Sequence, residues 1–227
     1  MVSCTSIRAL AAFALVFAAC VGSESTATPT SEAAPVALPA PTLSGGMALT
    51  DAIQQRRSVR SFTDRQLTQA ELGQLLWAAQ GRTEGRFRAA PSAGALYPLE
   101  LFVVQPEGVF HYAAEHHSLV RVLDGDRRKA LADAALGQAS VAEAPTVVAV
   151  AAVVERTAAK YGDDAPAYCR MEAGHAVQNL LLQAVALGLG AVPIGAIRDG
   201  AFRRVLGLDD GYLPIYVVPV GEAAGSP

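Results

Sequence analysis

The chain has 227 residues, 52% of them hydrophobic and 17% charged, with a formal net charge of -3. That is enough apolar sequence for one large core, and it carries no basic excess of the kind that binds nucleic acid. A single folded domain is expected, preceded by segments that do not belong to it.

Met1 to Arg8 carries one positive charge and is followed by the apolar run ALAAFALVFAAC. Residues 1–19 therefore read as an export signal, too short to span a bilayer as a stable helix. The ending Ala18-Ala19-Cys20 resembles the lipobox of bacterial lipoproteins, although Phe17 stands where leucine is usual. This implies a periplasmic, membrane-anchored lipoprotein with Cys20 as its lipidated first residue, and plain cleavage as the alternative. Translation from Met47 would instead give a cytosolic protein, but signal, lipobox and linker follow one another in the order of an exported one. Cys4 leaves with the signal and Cys20 takes the lipid, so Cys169 has no disulfide partner and reads as a buried small hydrophobe. Residues 20–46, rich in Pro, Ala, Ser and Thr with no aromatic residue, are expected to be a disordered tether.

The folded domain is predicted over residues 47–227. ALTDAIQQRRS has the composition of a short helix, and Thr68 with Glu71 forms a capping box that opens the next. Leu72, Leu75, Leu76 and Ala79 share one face of that helix, and Trp77 is assigned to core or interface. Leu99 to Gln105 and Gly108 to Glu115 flank the Pro106-Glu107 turn as a hairpin. A helix is predicted from Arg127 to Gln138, and Thr146 to Val154, apolar and mostly β-branched or alanine, is a strand covered on both faces. Tyr168 to Gly188 is a long central helix, and LPIYVVPVG is the closing strand. The order gives an α+β fold, a small mixed sheet wrapped by helices, with no internal repeat and no G-x-G-x-x-G fingerprint.

Three segments could carry chemistry. RRSVRSF brings Arg56, Arg57, Ser58 and Arg60 to the end of a short helix, where guanidinium forks and a hydroxyl suit a phosphate; a solvated basic corner is the equal alternative. In APSAGALYPLELFVV, small residues between two prolines let a flat ligand approach the backbone, with Ser92 as donor, though it could be only a loop. GLGAVPIG could lie along an aromatic ring, or be a helix cap and a buried strand. On the long helix Glu172, His175, Asn179 and Gln183 form a polar stripe, read as structural contacts rather than catalysis. The Glu172-x-x-His175 spacing occurs in di-iron helices, but no second copy exists. His111, His116 and His117 read as surface histidines, so no metal site is expected.

In this order and spacing the three segments resemble the nitroreductase-like flavoproteins over Ala48 to Glu222. The resemblance implies FMN as cofactor, with Arg56, Ser58 and Arg60 on the phosphate and Arg57 beside them. It places Pro91, Ser92, Ala93 and Gly94 along the isoalloxazine ring, and Val192, Pro193, Ile194 and Gly195 on its other side near the reactive nitrogen. It also implies an obligate homodimer with two FMN sites built from both chains. Many members add a C-terminal base on the phosphate; PVGEAAGSP has none, leaving Arg198 as a possible substitute.

PSAGALYPLELFVV, GVFHY, ERTAAKYG and EAGHAVQNLLLQAVALGLGAVPIG look more specifically like the SagB-type dehydrogenases, the group that contains azoline oxidases. That branch places a Lys-Tyr pair near the substrate, which implies catalytic roles for Lys160 and Tyr161, with burial lowering the lysine pKa. Exposure at a helix start is the alternative for the pair. The expected activity is hydride transfer between flavin N5 and a small-molecule or modified-peptide substrate, of azoline-to-azole type. NAD(P)H-dependent nitro or quinone reduction, and a non-catalytic flavin-binding or interaction module, are the competing expectations.

Overall fold

The computed structural model describes residues 34–225. The signal reading of residues 1–19 and the lipidation reading of Cys20 fall outside them.

The sheet is built on β5 (Thr146–Val153), whose side chains are buried through Ala152 and which therefore shows no alternation. It pairs with β2 (Leu99–Gln105) on one side and β7 (Tyr212–Gly221) on the other. Beyond β2 the chain meanders through β3 (Gly108–Ala113) and β4 (Ser118–Asp124), while β1 (Val36–Ala37) and β6 (Gly190–Ala191) close the edges. The strand order is β1-β4-β3-β2-β5-β7-β6 and every ladder is antiparallel. The expected mixed sheet is thus corrected: short turns join β2, β3 and β4, a connection open only to antiparallel neighbours. Among the described residues, parallel pairing is confined to an isolated bridge between Ser58 and Ala191.

Helices cover both faces. On one lie α1 (Leu49–Gln55), α2 (Gln69–Gln80), α5 (Val154–Tyr161) and the long α6 (Ala165–Ala186). Leu72, Leu75 and Leu76 pack there with Leu101, Val103, Val148, Val150 and the buried side of α6. The capping box of α2 is formed on both sides, Thr68 with Glu71. The other face is covered by α3 (Arg128–Ala134), α4 (Ala139–Glu143) and α7 (Asp199–Leu206), with Leu131, Val141, Phe202 and Leu206 over Phe102, Val104 and Val147.

Two further expectations change. The predicted helix from Arg127 to Gln138 is broken after Ala134, because Leu136 and Gly137 take positive φ (59° and 79°) and turn the chain into α4. The tether also ends earlier than Gly46. Val36–Ala37 adds a strand to β4, Leu38 is buried against α2, and Thr42 N–H donates to Gln74 Oε1 at 2.8 Å. A few apolar residues suffice, because the β4 edge offers unpaired backbone groups.

Candidate functional site

Helix α1 stops at Gln55, and Arg56 leaves it with extended backbone. The chain then runs beside β6: Ser58 bridges Ala191, and Val59 N–H donates to Ala191 O at 3.1 Å. Gly190 permits this approach, since a Cβ there would stand 2.6 Å from Val59 Cβ. The C-terminal end clamps the same segment, with Ala224 N–H on Ser61 O and Thr63 N–H on Glu222 O. RRSVR and GLGAVPIG, far apart in sequence, form one structural unit.

Arg57 folds back, its Nη1 donating to Gln54 O and Arg56 O. Among the described residues no carboxylate pairs with Arg56, Arg57 or Arg60, whereas Arg65, next along the chain, is held by Glu71 and Glu222. Three uncompensated guanidinium groups beside an exposed Ser58 fit a phosphate dianion. In Val192 to Gly195 burial alternates: Val192 and Ile194 enter the core, whereas Pro193 is half-buried and Gly195 exposed. Arg198 does not join this unit, for its guanidinium donates to Asp133 O and its backbone to Ala134 O, at α3.

The Pro-Ser loop forms a second unit, with α5. A Cβ on Gly94 would meet Lys160 Nζ at 3.1 Å and Tyr161 Oη at 3.2 Å. Lys160 Nζ also lies 5.3 Å from the Tyr161 ring centre, and Tyr161 packs on Tyr168. Lys160 itself is exposed, so the expected burial is not found within the single chain. The loop is tightly wound, with Gly94, Ala95 and Tyr97 at φ of 62°, 53° and 48°. It is held by Tyr97 N–H on Ser92 Oγ (2.8 Å), by Arg156 Nη1 on Tyr97 O (3.2 Å), and by the Arg88 guanidinium 4.9 Å from the Tyr97 ring centre. Among the described residues no hydrogen bond joins this unit to the arginine unit.

Glu172 and His175 are structural contacts in the sequence reading, whereas the structure sets both on a cavity beneath the loop. Glu172 is 3% exposed, its Oε1 lacks a hydrogen-bond partner, and it lines a cavity of about 240 Å³ with Pro91, Ser92, Ala93, Tyr168, Met171 and His175. Burial pushes its carboxyl up to about 7, against opposing pulls from Ser92, Gln80 and the Arg88 charge. A carboxylate on the inner side of an apolar helix was the available signal. Further along the stripe the contacts are structural: Asn179 donates to Ala89 O and Gln183 accepts from Gln74.

The histidines are less ordinary than expected. His111 Nε2 lies 2.5 Å from Glu100 Oε2, whose Oε1 pairs with Arg156 at 2.6 Å. Burial raises the Glu100 carboxyl, but the His111 hydrogen bond and the Arg156 charge outweigh it and hold it below the usual range. His117 bonds Tyr112 Oη and Pro39 O, and of these three only His116 is exposed. Among the described residues no three His, Cys, Asp or Glu side chains gather as a metal site.

A model of the nitroreductase family matches residues 53–222. A protein of Methanocaldococcus jannaschii named as a nitroreductase is 44% identical over 181 residues, 77% of this chain and 90% of its own. The FMN reductase [NAD(P)H] of Bacillus subtilis is 27% identical over 77% of this chain and 64% of its own. Among solved structures, a nitroreductase-type protein of Ralstonia eutropha JMP134 superposes with a TM-score of 0.77 at 28% identity, over 85% of this chain and 90% of its own. Fold and site thus define an FMN-dependent oxidoreductase. The chain belongs to the nitroreductase family.

Proposed function

We propose that the chain is a dehydrogenase of the SagB-type branch, moving a hydride between flavin N5 and an organic substrate in an azoline-to-azole type oxidation. The observation that carries this reading is the meeting of Lys160 and Tyr161 with Gly94 in the Pro-Ser loop. Bound FMN supplies the two-electron acceptor. Arg56, Ser58 and Arg60, with Arg57 beside them, hold its phosphate, and Pro91 to Gly94 and Val192 to Gly195 line the two sides of the ring. Oxidising an azoline also removes a proton from the carbon next to the one that gives up hydride. Lys160 Nζ takes that proton, with Tyr161 Oη as relay.

The arginine unit and the Pro-Ser unit are two half-sites on one chain, which supports a homodimer in which each FMN is held by both copies. Leu49 and Ile53 on α1, 65% and 57% exposed, supply apolar surface for that contact. Packing of the second copy and of substrate then removes Lys160 from water. We read residues 1–19 as an export signal and Cys20 as a lipid anchor, which supports a location outside the cytosol.

The names of the relatives favour a second reading, NAD(P)H-driven nitro or quinone reduction. The test is to purify the full chain, identify released FMN by mass, and follow flavin absorbance anaerobically with a thiazoline peptide or with NADPH. Bleaching by the thiazoline that is lost in Lys160→Ala, with FMN retained, supports the dehydrogenase. Bleaching by NADPH alone, unchanged in Lys160→Ala, supports the reductase. A protein that takes up no FMN would leave only the non-catalytic module.

A further inference from the structure

The groups around Glu172 form a small buried polar cluster that neither half-site explains. From α2 comes Gln80, 1% exposed, with its Nε2 unpartnered. The chain ahead of the loop brings Arg88, whose Nη1 donates to Gln80 Oε1 and whose Nη2 reaches Glu115 Oε1, leaving a buried Nε without a partner. The loop contributes Ser92, which accepts from Tyr97 N–H and so keeps its own hydrogen free to donate. Neighbours on α6 are Tyr168, Cys169 and His175, and α5 presents Lys160 and Tyr161 to Gly94 at the far side of the loop. Arg88 is the only charge among these that opposes the Glu172 carboxylate.

We propose that Glu172 is the proton-linked positioning residue of the flavin loop, and that binding an isoalloxazine ring over this loop is coupled to proton uptake by Glu172. This rests on the reading that places Pro91 to Gly94 along the ring.

The cavity that Glu172 lines has Pro91, Ser92 and Ala93 among its walls, the residues the ring would cover. Glu172 Oε1 is already sealed from solvent with no partner, so covering the cavity closes the carboxylate's remaining 3% exposure and puts an apolar ring where solvent could stand in front of it. An ionised carboxylate loses more from this than a neutral one, so binding raises the proton affinity of the group. The proton comes from solvent and no other bond changes.

In the free protein the carboxyl already titrates at about 7. Below that pH it is neutral before the ring arrives, and binding takes up nothing. Above it each binding event must capture a proton, so affinity falls towards tenfold per pH unit. Ser92 links the state to the loop: it accepts from Tyr97 N–H at 2.8 Å, and its pull on the Glu172 carboxyl favours the anion.

The experiment uses the full chain and its Glu172→Gln variant, with FMN as the probe, and measures Kd by fluorescence quenching from pH 6 to 9. Titration of the FMN phosphate is common to both proteins and cancels in the ratio of their Kd values. That ratio is expected to be flat below about pH 7 and to rise above it, towards tenfold per unit. Calorimetry at pH 8 in two buffers of different ionisation enthalpy is expected to show up to one more proton taken up by the parent than by the variant. A ratio that stays constant with pH, with equal proton uptake, overturns the proposal. Failure of the parent to bind FMN at any pH would instead overturn the flavin-loop reading on which it rests. A merely structural role for Glu172 would lower affinity in Glu172→Gln by the same factor at every pH.

Discussion

A methyl group at Gly190 would stand 2.6 Å from Val59 Cβ and 2.7 Å from Val59 Cγ1, with no flexible chain end to yield. Gly190→Ala must therefore push the Arg56 to Arg60 segment off β6, at about 1–3 kcal/mol of stability. It is expected to weaken FMN binding at least tenfold while leaving the Pro-Ser loop in place. Gly174→Ala on α6, where a Cβ meets nothing within 4 Å, is the matching control and should stabilise the helix by about 0.5–1 kcal/mol. Thermal unfolding and FMN titration of the two variants check both. Cys169 behaves as its sequence context predicts: it is fully buried, burial pushes its thiol up, and its sulfur lies 3.8 Å from Thr157 Oγ1. It should resist a maleimide in the native protein and react once the chain is unfolded by guanidinium.

At the scale of elements, what could be read from sequence was what local chemistry dictates. The Thr68–Glu71 box, the Pro106-Glu107 hairpin, the apolar run of β5 and the long α6 each carry their own signal. The residues of β1 do not, for Val36 and Ala37 become a strand only because β4, some eighty residues later, leaves an edge to pair with. The start of α5 was hidden for a different reason: it follows β5 with no loop between, so one apolar run contains both. The strap from Ala34 to Gly46 is held by Leu38 N–H on His117 O, His117 Nε2 on Pro39 O, and Leu38 in the core. Burial of one leucine is worth about 1.5–3 kcal/mol. A chain beginning at Met47 is therefore expected to melt about 4–8 °C below the full chain, converting roughly 2 kcal/mol for a domain of this size. Equal melting temperatures in scanning calorimetry would show the strap to be energetically idle.

For the whole molecule, the two half-sites were legible as residue types but not as places, since only the fold pairs Arg56–Arg60 with β6 and Gly94 with Lys160. The pH dependence of stability was legible in neither way, because it depends on which carboxylates the fold buries. Two of them act with opposite sign. Glu100 is held below its usual range by His111 and Arg156, so its contribution is present above the unfolded value near 4.5 and is lost as pH falls through the folded one. Glu172 is raised, so the native chain holds a proton that the unfolded chain has released, and stability falls as pH rises from about 4.5 to about 7. Glu172→Gln keeps the shape and removes the ionisation. Its unfolding free energy in urea, without flavin, should match the parent at pH 4.5 and exceed it by about 1–3 kcal/mol at pH 8, since each tenfold gain in proton affinity on folding is worth roughly 1.4 kcal/mol. Glu100→Gln should do the reverse, less stable than the parent at pH 7 and converging with it in acid. If the Glu172→Gln difference is the same at both pH values, the carboxyl is not neutral in the native chain at pH 6, and the cluster beneath the loop holds it as an anion.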